Sequence, residues 1–84
     1  MLPERQVREY ILENYLFTDD ESALTNSDSF LELGILDSTG ILEVILFLEE
    51  EFGIKVAPEE MIPENLDSVE RIVNFIGQKQ RSVS

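Results

Sequence analysis

The chain has no cysteine and no histidine, and only six of its 84 residues are lysine or arginine. Without cysteine there is no disulfide framework and no thiolate site. Without histidine the usual zinc ligand sets and the commonest general base are missing too, and no resident metal site is expected. Stability must come from packing, and a chain this short buries only around 60–65% of its unfolded surface, enough for one modest core. No apolar stretch reaches the roughly 20 residues that span a bilayer. Met1-Leu2-Pro3-Glu4-Arg5 lacks the basic start and apolar centre of a signal peptide, so a cytoplasmic location is expected.

What is abundant is negative charge. The formal net charge is −12, and between Glu9 and Ile54 there are twelve Asp or Glu and no Lys or Arg. Nucleic acid is disfavoured as a partner, because neutralising phosphates takes clustered basic residues. Basic protein surfaces, steered in by the long-range field, fit better; the plainer alternative is that the charge only maintains solubility. A disordered acidic tail is not indicated, since 43% of residues are apolar and they recur periodically.

The apolar spacing predicts an all-α fold, a four-helix bundle with a long loop between helices I and II and a short helix III. Helix I runs from Pro3 to about Phe17 on Val7, Tyr10, Ile11 and Tyr15. A polar connection follows to Leu36, pinned to the core by Leu24 and by Phe30, Leu31, Leu33, Ile35 and Leu36. Helix II starts at a cap supplied by Asp37 or Ser38 and ends at Gly53. Ile41, Ile45, Leu48 and Phe52 form its core stripe with Val44 at the edge, while Thr39, Glu43, Leu46 and Glu50 look outward. Helix III falls within Ala57 to Ile62, closed by Pro63, and helix IV opens on a capping box of Asp67 and Glu70. The carrier of this core is residues 1–79, with 80–84 a flexible tail.

Two chemistries fail on inspection. A calcium loop starting at Asp19 would need Gly sixth and Glu twelfth, where the chain has Leu24 and Phe30. Ser38 as a hydrolytic nucleophile has no histidine, and Lys55, Lys79 or Asp37 form no recognisable pairing with it, so the chain is not expected to be an enzyme. The pair Asp-Ser occurs at Asp28-Ser29, Asp37-Ser38 and Asp67-Ser68, and each alone reads as a turn or cap. Ser38 differs in its surroundings, with the Gly34 turn and its apolar neighbours upstream and a half-acidic helix downstream.

Leu33-Gly34-Ile35-Leu36-Asp37-Ser38, then Leu42-Glu43-Val44 and Leu48-Glu49-Glu50-Glu51-Phe52-Gly53-Ile54, resembles the acyl carrier protein family. The resemblance extends through Ala57-Pro58-Glu59-Glu60 to Asn65-Leu66-Asp67-Ser68-Val69-Glu70-Arg71-Ile72. It implies that Ser38 receives 4′-phosphopantetheine from coenzyme A through a separate phosphopantetheinyl transferase, with Asp37 helping to position the metal ion of that transfer. The arm then holds an acyl or aminoacyl thioester for ligases and synthases. It also implies that Glu43, Glu49 and Glu50 dock basic surfaces of those enzymes. Leu46 and Leu42 either add to that contact or are buried against a second helix.

Three departures from the common fatty-acid pattern stand out: one additional residue between Gly34 and Asp37, Thr39 in place of Leu, and Gly40 in place of Asp. Leu-Asp-Ser-x-Gly is more similar to D-alanyl carriers and stand-alone carriers served by dedicated ligases. Thr39 and Gly40 are therefore candidate determinants of partner choice; Gly40 either lets an enzyme backbone approach or leaves the helix start frayed. The expected function is a monomeric acyl or aminoacyl carrier in a specialised pathway. Its rival is an unmodified acidic adaptor that binds a basic partner through helix II.

Whichever holds, the uncompensated acids repel one another, so screening should stabilise the fold. Thermal melts at rising magnesium should show a climbing midpoint. An unchanged midpoint at millimolar magnesium would contradict this account of the charge.

Overall fold

The computed structural model describes residues 3–82. Pro3 fits a helix start because its missing N–H has no intrahelical acceptor there, and α1 runs over Pro3–Ile11. The helix then widens into a single π-type turn, Leu12–Leu16. It stops at Phe17, whose φ of 54° is left-handed, and the N–H groups of Phe17 and Thr18 both return to the Leu12 carbonyl. The long connection contains one 3-10 turn, Glu21–Ala23, capped by the Asp20 carboxylate on the Ser22 N–H. After it come α2 (Ser38–Phe52), a 3-10 turn (Pro58–Glu60), α3 (Pro63–Leu66) and α4 (Val69–Ser82). There is no strand among the described residues, and the expected four-helix fold is the observed one.

One core serves the whole chain. Val7 and Ile11 of α1, Val44 and Leu48 of α2, Leu66 of α3 and Ile72 and Ile76 of α4 are almost completely buried. Leu24 and Phe30 join them from the long loop. Full burial of side chains this size stabilises by about 1.5–3 kcal/mol each, so a loop carrying two of them is anchored as firmly as a helix face. Leu36 is buried as expected, whereas Leu31 and Leu33 are exposed and do not pin the loop.

Polar contacts complete the anchoring. The Arg8 guanidinium donates to Asn26 Oδ1 at 2.8 Å and to the carbonyls of Glu21 and Leu24 at 2.7 Å each, fastening the first half of the loop to α1. The second half is fastened by Asp67. Its carbonyl accepts the Phe30 N–H at 2.8 Å, and its carboxylate accepts the Leu31 N–H at 3.0 Å and the Ser29 hydroxyl.

Three expectations need correction. Helix III does not lie within Ala57 to Ile62, which holds only the 3-10 turn; Pro63 begins α3 instead of closing a helix. A proline forces the residue before it out of the helical region, and Ile62 is accordingly extended at φ −123°, ψ 154°. The capping box of Asp67 and Glu70 does not form. Ser68 caps α4, its hydroxyl oxygen accepting the Arg71 N–H at 3.2 Å, because Asp67 is already committed to the loop. Finally, α4 continues through Ser82, so residues 80 to 82 of the tail are helical, while Val83 and Ser84 lie outside the described residues.

Asp67→Ala removes two acceptor bonds to a charged group, each of the class that contributes about 1.5–3 kcal/mol, reduced here because Leu31 is exposed. A loss of about 2 kcal/mol in urea unfolding is expected. A variant as stable as the parent would show that the loop holds itself in place.

Candidate functional site

The three Asp-Ser pairs, indistinguishable as dipeptides, occupy different environments. Ser29 is half-buried, donates to Asp67 and accepts the Glu32 N–H at 3.2 Å. Ser68 is 4% exposed and occupied as the α4 cap. Ser38 is exposed, as the first residue of the 15-residue α2. Only its hydroxyl is presented to a reagent from solution.

Asp37 is the cap of α2. Its Oδ1 accepts the Gly40 N–H at 2.8 Å and its carbonyl accepts the Ile41 N–H at 2.9 Å. The amides of Ser38 and Thr39 have no acceptor within the helix, and the helix dipole is positive there, so the position suits an anionic phosphate ester on Ser38. The residues present therefore fit the prosthetic group that the sequence resemblance implies. No group of three carboxylates among the described residues could hold a metal ion.

Two grooves flank this helix start. One, of about 380 Å³, is apolar: Ser38 stands with Leu31, Ile41, Leu42, Ile45, Met61 and Ile62. The other, of about 410 Å³, lies on the loop side and is lined by Tyr15, Leu36, Asp37, Thr39, Gly40 and Glu43, among others. The wall of the apolar groove formed by Met61 and Ile62 is held by Glu60. That carboxylate accepts the Ala57 N–H at 3.0 Å and pairs with Lys79 at 2.8 Å. The Lys79 hydrogen bond first, and the Ala57 N–H second, hold Glu60 below the usual carboxylate range.

The expected docking residues divide. Thr39, Glu43, Leu46 and Glu50 are all exposed on the outer side of α2, and Leu42 lies beside them. Neither Leu42 nor Leu46, 53% and 59% exposed, is buried against another helix. Glu49 is different: half-buried, it accepts the Val56 N–H at 3.0 Å and ties the chain after α2 back to the helix. Glu43 accepts the Tyr15 hydroxyl at 3.1 Å. Burial of Tyr15 foremost, then its interactions with Tyr10 and Glu43, push the phenol well above its ordinary pKa, so it stays a donor.

Two residues escaped the sequence reading. Phe47 stacks on Tyr10 with ring centroids 4.1 Å apart and joins α2 to α1 from outside the predicted stripe; the signal was the nearly continuous apolar run from Ile45 to Leu48. Tyr15 was read only as one of the periodically spaced residues of helix I. The π-type turn around it, which no local sequence pattern announces, accompanies its approach to Glu43.

Gly40 also has a different role from the two offered for it. It is buried, and a Cβ there would lie 3.0 Å from Leu36 Cδ2 and 3.5 Å from Asp37 Oδ1. Leu36 lies in the stretch that holds the additional residue between Gly34 and Asp37. The insertion and the glycine thus form one packing unit, and the helix start is capped, not frayed.

Comparison with known proteins shows the family. The family profile described as "Phosphopantetheine attachment site" matches residues 5–76. The D-alanyl carrier proteins of Streptococcus pyogenes serotype M5 (strain Manfredo), serotype M49 (strain NZ131) and serotype M1 are each 33% identical over 78 residues, covering 90% of this chain and 98% of theirs.

Alanine in place of an exposed helical glycine ordinarily stabilises by about 1 kcal/mol. Gly40→Ala is expected to give no such gain in the parent, and to give it once Leu36→Ala has removed the obstructing methyl. A double-mutant cycle by chemical denaturation measures this. Additive effects would show that the two residues do not press on each other.

Proposed function

The chain belongs to the phosphopantetheine-attachment family of carrier proteins, and on that premise we propose that Ser38 takes the arm and that the cargo is an aminoacyl group of the D-alanyl kind. Membership makes the protein a carrier of acyl or aminoacyl groups on a covalently attached 4′-phosphopantetheine. When attached, the arm supplies the terminal thiol on which the thioester is held. Everything else falls to the chain: presenting one hydroxyl, holding the helix start in place and offering a surface to the enzymes.

The observation that carries Ser38 is the contrast among the three serines, of which it alone is exposed at the start of a long helix. The aminoacyl reading is supported by the additional residue between Gly34 and Asp37, by Thr39 and Gly40, and by the names of the relatives. Catalysis belongs to the partners, a transferase and an aminoacyl-activating ligase. Both would meet an acidic face on which Glu43 and Glu50 are exposed around Leu42 and Leu46. Charge of this kind raises the association rate more than it tightens the complex. Glu49 contributes to the field but not as a free contact, since its carboxylate already holds Val56. The unmodified adaptor draws no support from the family match.

Incubation with coenzyme A and a broad-specificity phosphopantetheinyl transferase should add one arm per chain by intact mass, mapped to the Ser38 peptide. Ser38→Ala should add none. An adduct on Ser29 or Ser68, or no adduct on the folded parent, would overturn the assignment and favour the adaptor.

A further inference from the structure

The groove on the loop side of α2 ends on a carboxylate that is fixed in place. Glu43 Oε1 receives the Tyr15 hydroxyl, and Tyr15 is half-buried and presented from the π-type turn of the α1 extension. The groove starts beside the attachment point, since Asp37 and Thr39, the two neighbours of Ser38, are both in its lining. Between the two ends the lining includes Gly40, packed closely against Leu36 Cδ2. Because its phenol is held protonated, Tyr15 donates to Glu43 throughout the neutral range.

An α-helix rises about 1.5 Å per residue, so Glu43 lies roughly 7 Å along the axis from Ser38. That is inside the reach of the prosthetic arm, which must fold back to bring its end there. The two grooves then differ in what they can accept from such an arm. The apolar one, with Leu31, Ile41, Leu42 and Ile45, offers no partner to a charge. The loop-side one has two carboxylates in its lining and no cationic residue: Asp37, whose Oδ1 is already taken by the Gly40 N–H, and Glu43, held by Tyr15.

We propose that the Tyr15–Glu43 groove receives the α-ammonium group of the aminoacyl cargo, so that Glu43 binds the cargo and Tyr15 positions Glu43. This rests on the aminoacyl-carrier reading above, and it assigns the recognition of the amine to the carrier as well as to its enzymes. An exposed ammonium–carboxylate pair is weak, so the folded-back arm is in exchange with the extended one and an enzyme can withdraw the cargo. An acyl group of the same size without the amine gains nothing from this groove.

The test uses two stable, amide-linked arms attached at Ser38 from the matching coenzyme A analogues, one ending in D-alanyl and one in propionyl. Amide chemical shifts are recorded at pH 6, below the α-amino range of about 7.7–8.0. The D-alanyl form should shift Thr39, Gly40 and Glu43 relative to the propionyl form, and the difference should vanish as pH rises through the amine's titration. Glu43→Gln should abolish the difference, and Tyr15→Phe should shrink it while leaving the pH midpoint in place. Identical spectra for the two arms, or a difference that survives Glu43→Gln, would overturn the proposal. Failure to attach either arm at Ser38 would instead refute the carrier assignment itself, so the two failures are distinct.

Discussion

Asp67 is the residue through which the long loop becomes part of the fold. By its carbonyl and its carboxylate it takes hydrogen bonds from three consecutive residues, Ser29, Phe30 and Leu31. Phe30 is thereby set into the core, and its carbonyl in turn accepts the N–H groups of Ile35 and Leu36 at 2.9 and 3.3 Å. Leu36 is then in place over the first turn of α2. The position of Ser38 is thus inherited, through a short chain of contacts, from the junction between α3 and α4.

That inheritance explains the composition of the helix start. Leu36 buried at the mouth of α2 leaves no room for a Cβ at Gly40, and Asp37 satisfies the amide of the same glycine. A glycine in a first turn loses backbone entropy on folding, but the cap and the buried leucine offset it. The result is a helix start held from one side only. Its other sides stay open, with an apolar groove toward α3 and one that carries two carboxylates toward the end of α1. A group attached to Ser38 meets two chemically distinct surfaces without any movement of the backbone.

The acidity of the chain is less uniform in effect than in sequence. Some carboxylates are fastened to the structure: Glu49 to Val56, Glu60 to Lys79 and Ala57, Asp28 to the Thr25 N–H, which lowers its pKa, and Asp37 to Gly40. These convert charge into loop geometry. Others, such as Glu50, stand exposed on the surface.

The sequence by itself indicated the helical class, a helical run from Pro3 to about Phe17, a start of α2 capped by Asp37 or Ser38 and its stop at Gly53, and the family, because periodic apolar spacing, Asp-Ser at a helix start and a glycine at a helix end are local signals. It misplaced helix III and the cap of α4 because both depend on a competition that is not local. Asp67 was a good cap by residue type, but the loop 36 residues earlier claimed its carboxylate. Only the tertiary structure decided that Ser29 and Ser68 are engaged in the fold while Ser38 is exposed, that Glu49 is a brace, that Gly40 answers to Leu36, and that Tyr15 meets Glu43 across 28 residues. Spacing along one helix reports which residues share a face; it carries no information about what the rest of the chain brings to that face.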